Sequence, residues 1–309
     1  MAGSRALKNR IKSTKNIRQM TRAMEAVSAV KMRRSVALAV SARPYALAAL
    51  HLFSEVRHAL HDDTTTLSPL LTQRPLRNAL AIIIASDKGL AGSFNTSVFR
   101  TADARIASLD VPVRVVAVGK KVRDYYDRRN MLDRAYIGAG DFGAIDETRP
   151  IAEYVTEEFV SGRVDQVVII YTNFISALRQ TVSYRSLLPF SEQSLRQCID
   201  DILPERGKYS NTPALLNLPL QQPPDILIEP SPHVVLSKLL PALVALEIHH
   251  AILEANASEH SSRMIAMKNA SENADELAGD LTILYNKARQ AQITKELAEI
   301  SAGTEALHT

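Results

Sequence analysis

The residues best suited to chemistry lie in Ser86-Asp87-Lys88-Gly89-Leu90-Ala91-Gly92-Ser93-Phe94-Asn95, a Gly-containing loop that leads from an apolar run into a helical pattern. Backbone N–H groups in such a loop can cradle a phosphate at a helix N-terminus. The loop matches neither the dinucleotide fingerprint nor the phosphate-loop motif. It is therefore read as a tight strand-to-helix turn or a partner-binding loop. Val118-Gly119-Lys120-Lys121 is a weaker form of the same signal. His51, His58 and His61 have the spacing of a helix stripe and run into a linker, which favours a solvated helix face over a metal site. His249, His250 and His260 read as seam or flank residues of a long helix. No nucleophile has an adjacent base, and no carboxylates cluster outside helix faces. The sequence assigns no catalytic residue, no cofactor-binding residue and no metal ligand.

With no active site, the informative features are the two ends of the chain. From Ser4 to Arg43 there is no Gly, Pro or aromatic residue, and from Ala242 to Ala302 the only breaker is Gly279. At 1.5 Å per residue these segments form rods of roughly 60 Å and 90 Å, several times the ordinary helix length. A compact domain cannot bury them, so they must lie against each other, against another protein, or both. Their charges are opposite. The first rod carries eleven basic residues and a single acid, Glu25, in a chain whose net charge is only +4; the segment from Ala242 carries ten acids and five bases. Leu239, Leu243, Leu246, His250, Leu253, Ala257, His260, Met264, Met267, Ser271, Ala274, Ala278, Leu281, Tyr285 and Ala288 alternate by four and three, a heptad seam. Ile17, Met20, Met24 and Val27 are expected to form the facing seam. Ser4 is expected to cap the first helix and the Arg43-Pro44 step to break or kink it. Ser231-Pro232 reads as an N-cap, Pro241 as a kink and Gly303 as a C-cap.

Between the rods the period changes. Ala79–Ala85, Val113–Val118 and Gln166–Tyr171 are short β-branched runs typical of buried parallel strands. They are separated by helical patterns at about Phe94–Ser108, Gly119–Asn130 and Ile151–Ser161. The expected fold class is α/β: a long antiparallel coiled coil of the terminal helices plus a Rossmann-like domain with a largely parallel sheet. The expected domains are residues 1–61 and 231–309, paired as helices, and 70–229, the globular part. Asp62–Thr66 with Ser68-Pro69 reads as a linker, and Pro204–Pro224 as a loop-rich stretch. The lone Cys198 excludes an internal disulfide framework and a multi-cysteine zinc site, as expected in a reducing compartment. No apolar run approaches the ~20 residues of a membrane span. The Arg-rich N-terminus has no processing site and reads as mature protein. A basic helix could bind nucleic acid, but it lacks interleaved aromatics and has an acidic partner. A Rossmann-type enzyme with dimerisation arms would need the missing fingerprint.

Three stretches carry a family resemblance. Leu7–Ile17, Met20–Val27 and Lys31–Arg34 resemble the N-terminal helix of the gamma subunit of F-type rotary ATP synthases. Ser262–Ala270 and, most specifically, Leu284–Ile300 resemble its C-terminal helix, and Ser86–Asn95 its central loop. The likeness covers essentially the whole chain. It implies a non-catalytic central shaft, one copy per complex, inside a ring of alternating alpha and beta subunits, with the globular part bound to the epsilon subunit and the membrane rotor c-ring. It implies no cofactor and no nucleic-acid partner, and a place on the cytoplasmic face of the bacterial plasma membrane. By motif match, Arg289, Gln290, Thr294 and Glu296 are the expected catches near the catalytic subunits, with Met24, Arg33 and Arg34 near their moving levers. Two departures stand out. Thr304 replaces the usual Ala after Gly303, at the tip, and the paired-cysteine insertion of the light-regulated plant form is missing, which implies no thiol switch of that type.

Overall fold

The computed structural model describes residues 2–59, 68–139, 144–190, 229 and 231–307. Cys198, His61, the linker Asp62–Thr66 and the stretch Pro204–Pro224 lie outside them, as do the side chains of His51 and His58.

The elements in chain order are α1 (Ala2–Ala59), β1 (Ala79–Ile84), α2 (Phe94–Ala107), β2 (Val113–Val118), α3 (Lys120–Asp127), β3 (Leu132–Tyr136), α4 (Ile145–Val160), β4 (Gln166–Phe174), β5 (Gln180–Leu188) and α5 (Pro232–Leu307). Residues 1–28 and 263–309 form one compact unit, here the helical unit, and residues 29–262 a second, the sheet unit.

The sheet order is β3-β2-β1-β4-β5. The first four strands are parallel, with Ala79 opposite both Val113 and Gln166, and β5 closes the edge antiparallel to β4. This matches the expected parallel α/β layer. The order reverses between β1 and β4, because helices after β1 and β2 step the chain one way and α4 returns it to the other side. All six residues of β1 are buried, as a continuous apolar run with both faces covered must be. On one face Ala81, Ile83, Val115, Ala117 and Ile170 pack with Val98 of α2 and Val122 of α3. On the other, Leu80, Ile82, Val116 and Val167 pack with Ile151 and Phe159 of α4, Phe53 and Val56 of α1, and Leu240, Val244 and Ile248 of α5. α5 contains one stretch apolar enough to cross a bilayer, against the sequence expectation; 61% of it is buried inside the protein.

Polar clasps bind the edges of the layers. Arg114 of β2 reaches Asp133 of β3 at 3.0 Å and Glu158 of α4 at 2.6 Å, and Glu158 also pairs with Arg163 at 2.6 Å. Hydrogen bonds from Arg163 and then Arg114 hold the Glu158 carboxyl below the usual carboxylate range.

Several end signals are overridden. α1 runs through Ser4 from Ala2, so Ser4 is not its cap, and it continues through Pro44 without a break. Proline removes one intrahelical hydrogen bond, and downstream burial of Phe53 and Val56 in the sheet core outweighs that loss. α5 likewise passes Pro241 and Gly303. Ser231 does cap α5: its hydroxyl accepts from the Val234 N–H at 3.4 Å and its carbonyl from the Val235 N–H at 3.1 Å. β3 and β5 were not expected, and α4 begins six residues earlier than Ile151, with Asp146 and Glu147 in its first turn.

Candidate functional site

The Gly-containing loop is filled by its own side chains. Asp87 accepts from the Lys120 N–H at 2.7 Å, at the start of α3, and from the Gly138 N–H at 2.9 Å. A carboxylate thus occupies the position at the α3 N-terminus where a phosphate would bind. Asn95 Oδ1 accepts from the Ser86 N–H at 3.1 Å and from the Ser86 hydroxyl across 2.9 Å. Gly119 has φ +108°, and a Cβ there would sit 2.1 Å from the Ala85 carbonyl oxygen. These contacts make the loop a tight strand-to-helix turn. No group of three or more His, Cys, Asp or Glu residues poised for a metal occurs among the described residues.

The helical unit has a seam of small residues. On α1, Thr14, Thr21 and Ser28 are buried at strict heptad spacing, and buried Ser35 continues the series. Each hydroxyl in the unit bonds its own helix: Thr14 donates to the Arg10 carbonyl at 2.9 Å, Thr21 to Arg18 at 3.0 Å and Ser28 to Met24 at 2.7 Å. No polar group on this face then requires a partner across the seam, so the helices can approach closely. On α5 the buried residues are Met267, Ala274, Ala278 and Leu281, members of the expected heptad.

The expected α1 seam is a correction. Ile17, Met20 and Val27 are 54%, 65% and 58% exposed, and only Met24 of that set is half-buried. These larger apolar side chains face outward while hydroxyls face the partner helix. The charge complementarity of the rods is modest in effect. Arg18 pairs with Asp275 across the unit, and both are exposed enough that the pair contributes at most about 1 kcal/mol.

Beyond Ala288, the described side chains of α5 are exposed apart from half-buried Gln292. This is the segment holding the expected catches. Thr294 donates to the Gln290 carbonyl at 3.0 Å, and Gln292 Nε2 donates to Glu296 at 3.0 Å. At about 100° per residue, Arg289 and Glu296 share one edge, and Gln290 and Thr294 another. Exposed Ile293, Leu297 and Ile300 lie between those edges. The strip is an apolar ridge with two polar borders, and sequence reasoning missed the ridge. The i, i+4, i+7 spacing of 293, 297 and 300 was the available signal. Met24 lies six residues from Arg18 and Arg289 fourteen from Asp275, in opposite directions along the pair, which separates them by about 30 Å. Arg33 and Arg34 are exposed, and Arg33 Nε donates to the Ala29 carbonyl at 3.4 Å. They belong to the sheet unit by contact clustering.

A small-residue seam with an apolar outer face describes a rod built to be sheathed, and the comparisons agree. An ATP synthase gamma chain of a Synechococcus species is 36% identical over 322 residues, covering 100% of both chains. That of Opitutus terrae is 37% identical over 303 residues, covering 98% of each. The ATP synthase family model matches residues 3–307. The chain belongs to the ATP synthase gamma family. It is accordingly a non-catalytic subunit, the central-stalk rotor component of the ATP synthase. Solved structures share the fold. A chain of the Tetrahymena thermophila mitochondrial ATP synthase central stalk and c-ring aligns over 82% of this chain and 99% of its own, at 24% identity and TM-score 0.57. One from the Euglena gracilis mitochondrial ATP synthase OSCP/F1/c-ring assembly aligns over 99% and 95%, at 20% identity and TM-score 0.62.

Proposed function

We propose that one copy of this chain turns inside a ring of alternating alpha and beta subunits, while its sheet unit engages the epsilon subunit and the membrane rotor c-ring. Ion flow drives the rotation, and the chain couples it to ATP synthesis or hydrolysis in the hexamer and regulates ATPase activity and proton flow. Residues 1–61 and 231–309 serve as the shaft and 70–229 as the globular part. The observation that carries this reading is the inverted seam, with Thr14, Thr21 and Ser28 inside and Ile17, Met20 and Val27 outside. The outer apolar side chains are sheathed by another protein, because exposed apolar surface of this extent marks an interaction site.

Three catalytic sites of identical sequence are made unequal by a shaft that meets each differently, a coupling made of differential contacts. Arg289, Gln290, Thr294 and Glu296 border the ridge and serve as catches. Met24, Arg33 and Arg34 act further along α1 near the levers of the catalytic subunits. The ridge itself offers no directional bond, so it slides where the borders grip. The full-length relatives from Synechococcus and Opitutus terrae are bacterial, which supports placement on the cytoplasmic face of the bacterial plasma membrane.

The test is to tag the chain in its own cells, solubilise the membranes, and measure the mass and composition of the intact complex. One copy with three alpha and three beta subunits, epsilon and the c-ring is expected. Recovery as a free protein, or with nucleic acid in a steeply salt-dependent complex, would overturn the reading.

A further inference from the structure

Between α1, α4 and α5, wholly within the sheet unit, lies an open cleft of about 900 Å³. That size is typical of small-molecule sites, which are apolar with a few placed polar groups. Ala42 of α1, Ala152 and Val160 of α4, and Ala245 and Leu246 of α5 supply an apolar lining of mostly small side chains. His249 also lines it while remaining only 6% exposed.

The protonation of His249 follows from its neighbours. The Thr148 hydroxyl donates to the Ile145 carbonyl at 2.9 Å, which uses its one proton. Thr148 Oγ1 lies 3.3 Å from His249 Nδ1, so Nδ1 is the donor in that contact. Burial lowers the pKa of His249, with Glu147 opposing, so the ring is neutral near pH 7. A neutral ring protonated at Nδ1 leaves Nε2 as an acceptor. The other polar groups are mostly acceptors too. Glu153 and Glu157 are exposed and one turn apart on α4, so both carboxylates flank the same stretch of the cleft. The one cation of the lining, Arg149, pairs with Asp146 at 3.1 Å. The Thr156 hydroxyl is buried without a partner.

We propose that this cleft binds a primary ammonium amphiphile, its aryl or alkyl body among the small side chains of three helices. The three N–H groups of the ammonium match Glu153, Glu157 and His249 Nε2. Such a ligand touches both long helices and α4 at once, so its occupancy favours one packing of those helices on the sheet.

The probe is 4-phenylbutylamine, titrated calorimetrically into the full-length chain, with 4-phenylbutyrate and 4-phenylbutanol as matched controls. Saturable binding of one equivalent of amine is expected, with the carboxylate weaker by about tenfold or more. Glu153→Gln combined with Glu157→Gln changes only exposed positions and should weaken the amine by about tenfold while narrowing its advantage over the alcohol. His249→Gln, which keeps an acceptor, should retain more affinity than His249→Leu. Equal binding of amine and carboxylate, or a double Gln variant that binds amine like the parent, overturns the proposal. If His249→Leu does not fold, the exposed Glu pair still decides. The same titration on the intact ATP synthase must also show binding. Its absence there would mean that a neighbouring subunit covers the cleft, and would overturn the proposal as well.

Discussion

Replacing Gln290 and Thr294 together by alanine isolates one border of the apolar ridge. Gln290 is exposed, and the Thr294 hydroxyl bonds only to the Gln290 carbonyl of its own helix, at 3.0 Å. Nothing in the chain loses a partner, and exposed substitutions of this kind change stability by no more than about 0.5 kcal/mol. Alanine has the higher helix propensity, which adds a few tenths in favour of α5. The structure of the free chain therefore predicts almost no cost, so a functional loss has to come from contacts made in the complex. A hydrogen bond to a charged group contributes about 1.5–3 kcal/mol. When present in one rotational state and absent in the others, it biases a catalytic site roughly ten- to a hundredfold. The double variant should assemble normally, turn over ATP more slowly and synthesise poorly under ion drive. Nucleotide affinity measured without turnover should change less. The assay is steady-state hydrolysis and ion-driven synthesis by the purified complex, after its subunit composition has been confirmed. Normal turnover and coupling in an intact complex would refute the catch assignment. Loss of assembly would make this border an anchor instead.

Gly119→Ala should destabilise the chain by about 2 kcal/mol or more, since φ is +108° and the new Cβ would meet the Ala85 carbonyl; denaturant midpoints of the full chain measure this. Burial raises the Glu247 carboxyl to about 8, with Arg185 opposing, so the folded state keeps a proton that the unfolded chain releases near pH 4.5. Stability should then fall as pH rises between those values, by up to about 1.4 kcal/mol per pH unit from this group, and Glu247→Gln should flatten the slope in pH-dependent melts. Glu158 has the opposite sign: its pKa is lowered by Arg163 and Arg114, so its contribution is present above the ordinary carboxylate range and lost as pH falls through the folded pKa. Glu158→Gln should remove that acid-side loss. Ala274→Leu overpacks the seam and should cost about 1–3 kcal/mol in a melt of the full chain, whereas Val27→Ser on the outer face should stay within about 0.5 kcal/mol and weaken assembly instead.

The sheet was legible because its central strands are buried on both faces. The runs at Ala79, Val113 and Gln166 begin where β1, β2 and β4 begin. The edge strands carry no such run. β3 reads Leu132-Asp133-Arg134-Ala135-Tyr136 and is half-buried, with Asp133 engaged by Arg114. In β5, Arg185 is buried with its guanidinium 5.0 Å from the centre of the Tyr171 ring, a contact between strands that no local pattern encodes. The helix breaks expected at Pro44 and Pro241 failed for a related reason. Local backbone preference acts over a few residues, while Phe53, Val56, Leu240 and Val244 anchor both helices in one core.

The α1 seam was misread because the rule that apolar residues face inward presumes that the chain completes its own core. In the helical unit each helix has only one neighbour in the chain, so one stripe is buried and the rest of the circumference is free. If Ile17, Met20 and Val27 filled the seam, the two helices would be held apart by bulk. With Thr14, Thr21 and Ser28 there, they lie close, at the cost of burying little apolar area. The outer apolar residues are then stabilised only by a second protein. The same logic orders the end of α5, where Ile293, Leu297 and Ile300 stand outside any seam. A rod that drew its stability from a large apolar seam would need nothing around it. This one is thin at the seam and apolar outside, so its stability and its function depend on the same sleeve. Its family membership could be read from the sequence motifs. The direction in which the apolar stripe of α1 faces needed the coordinates.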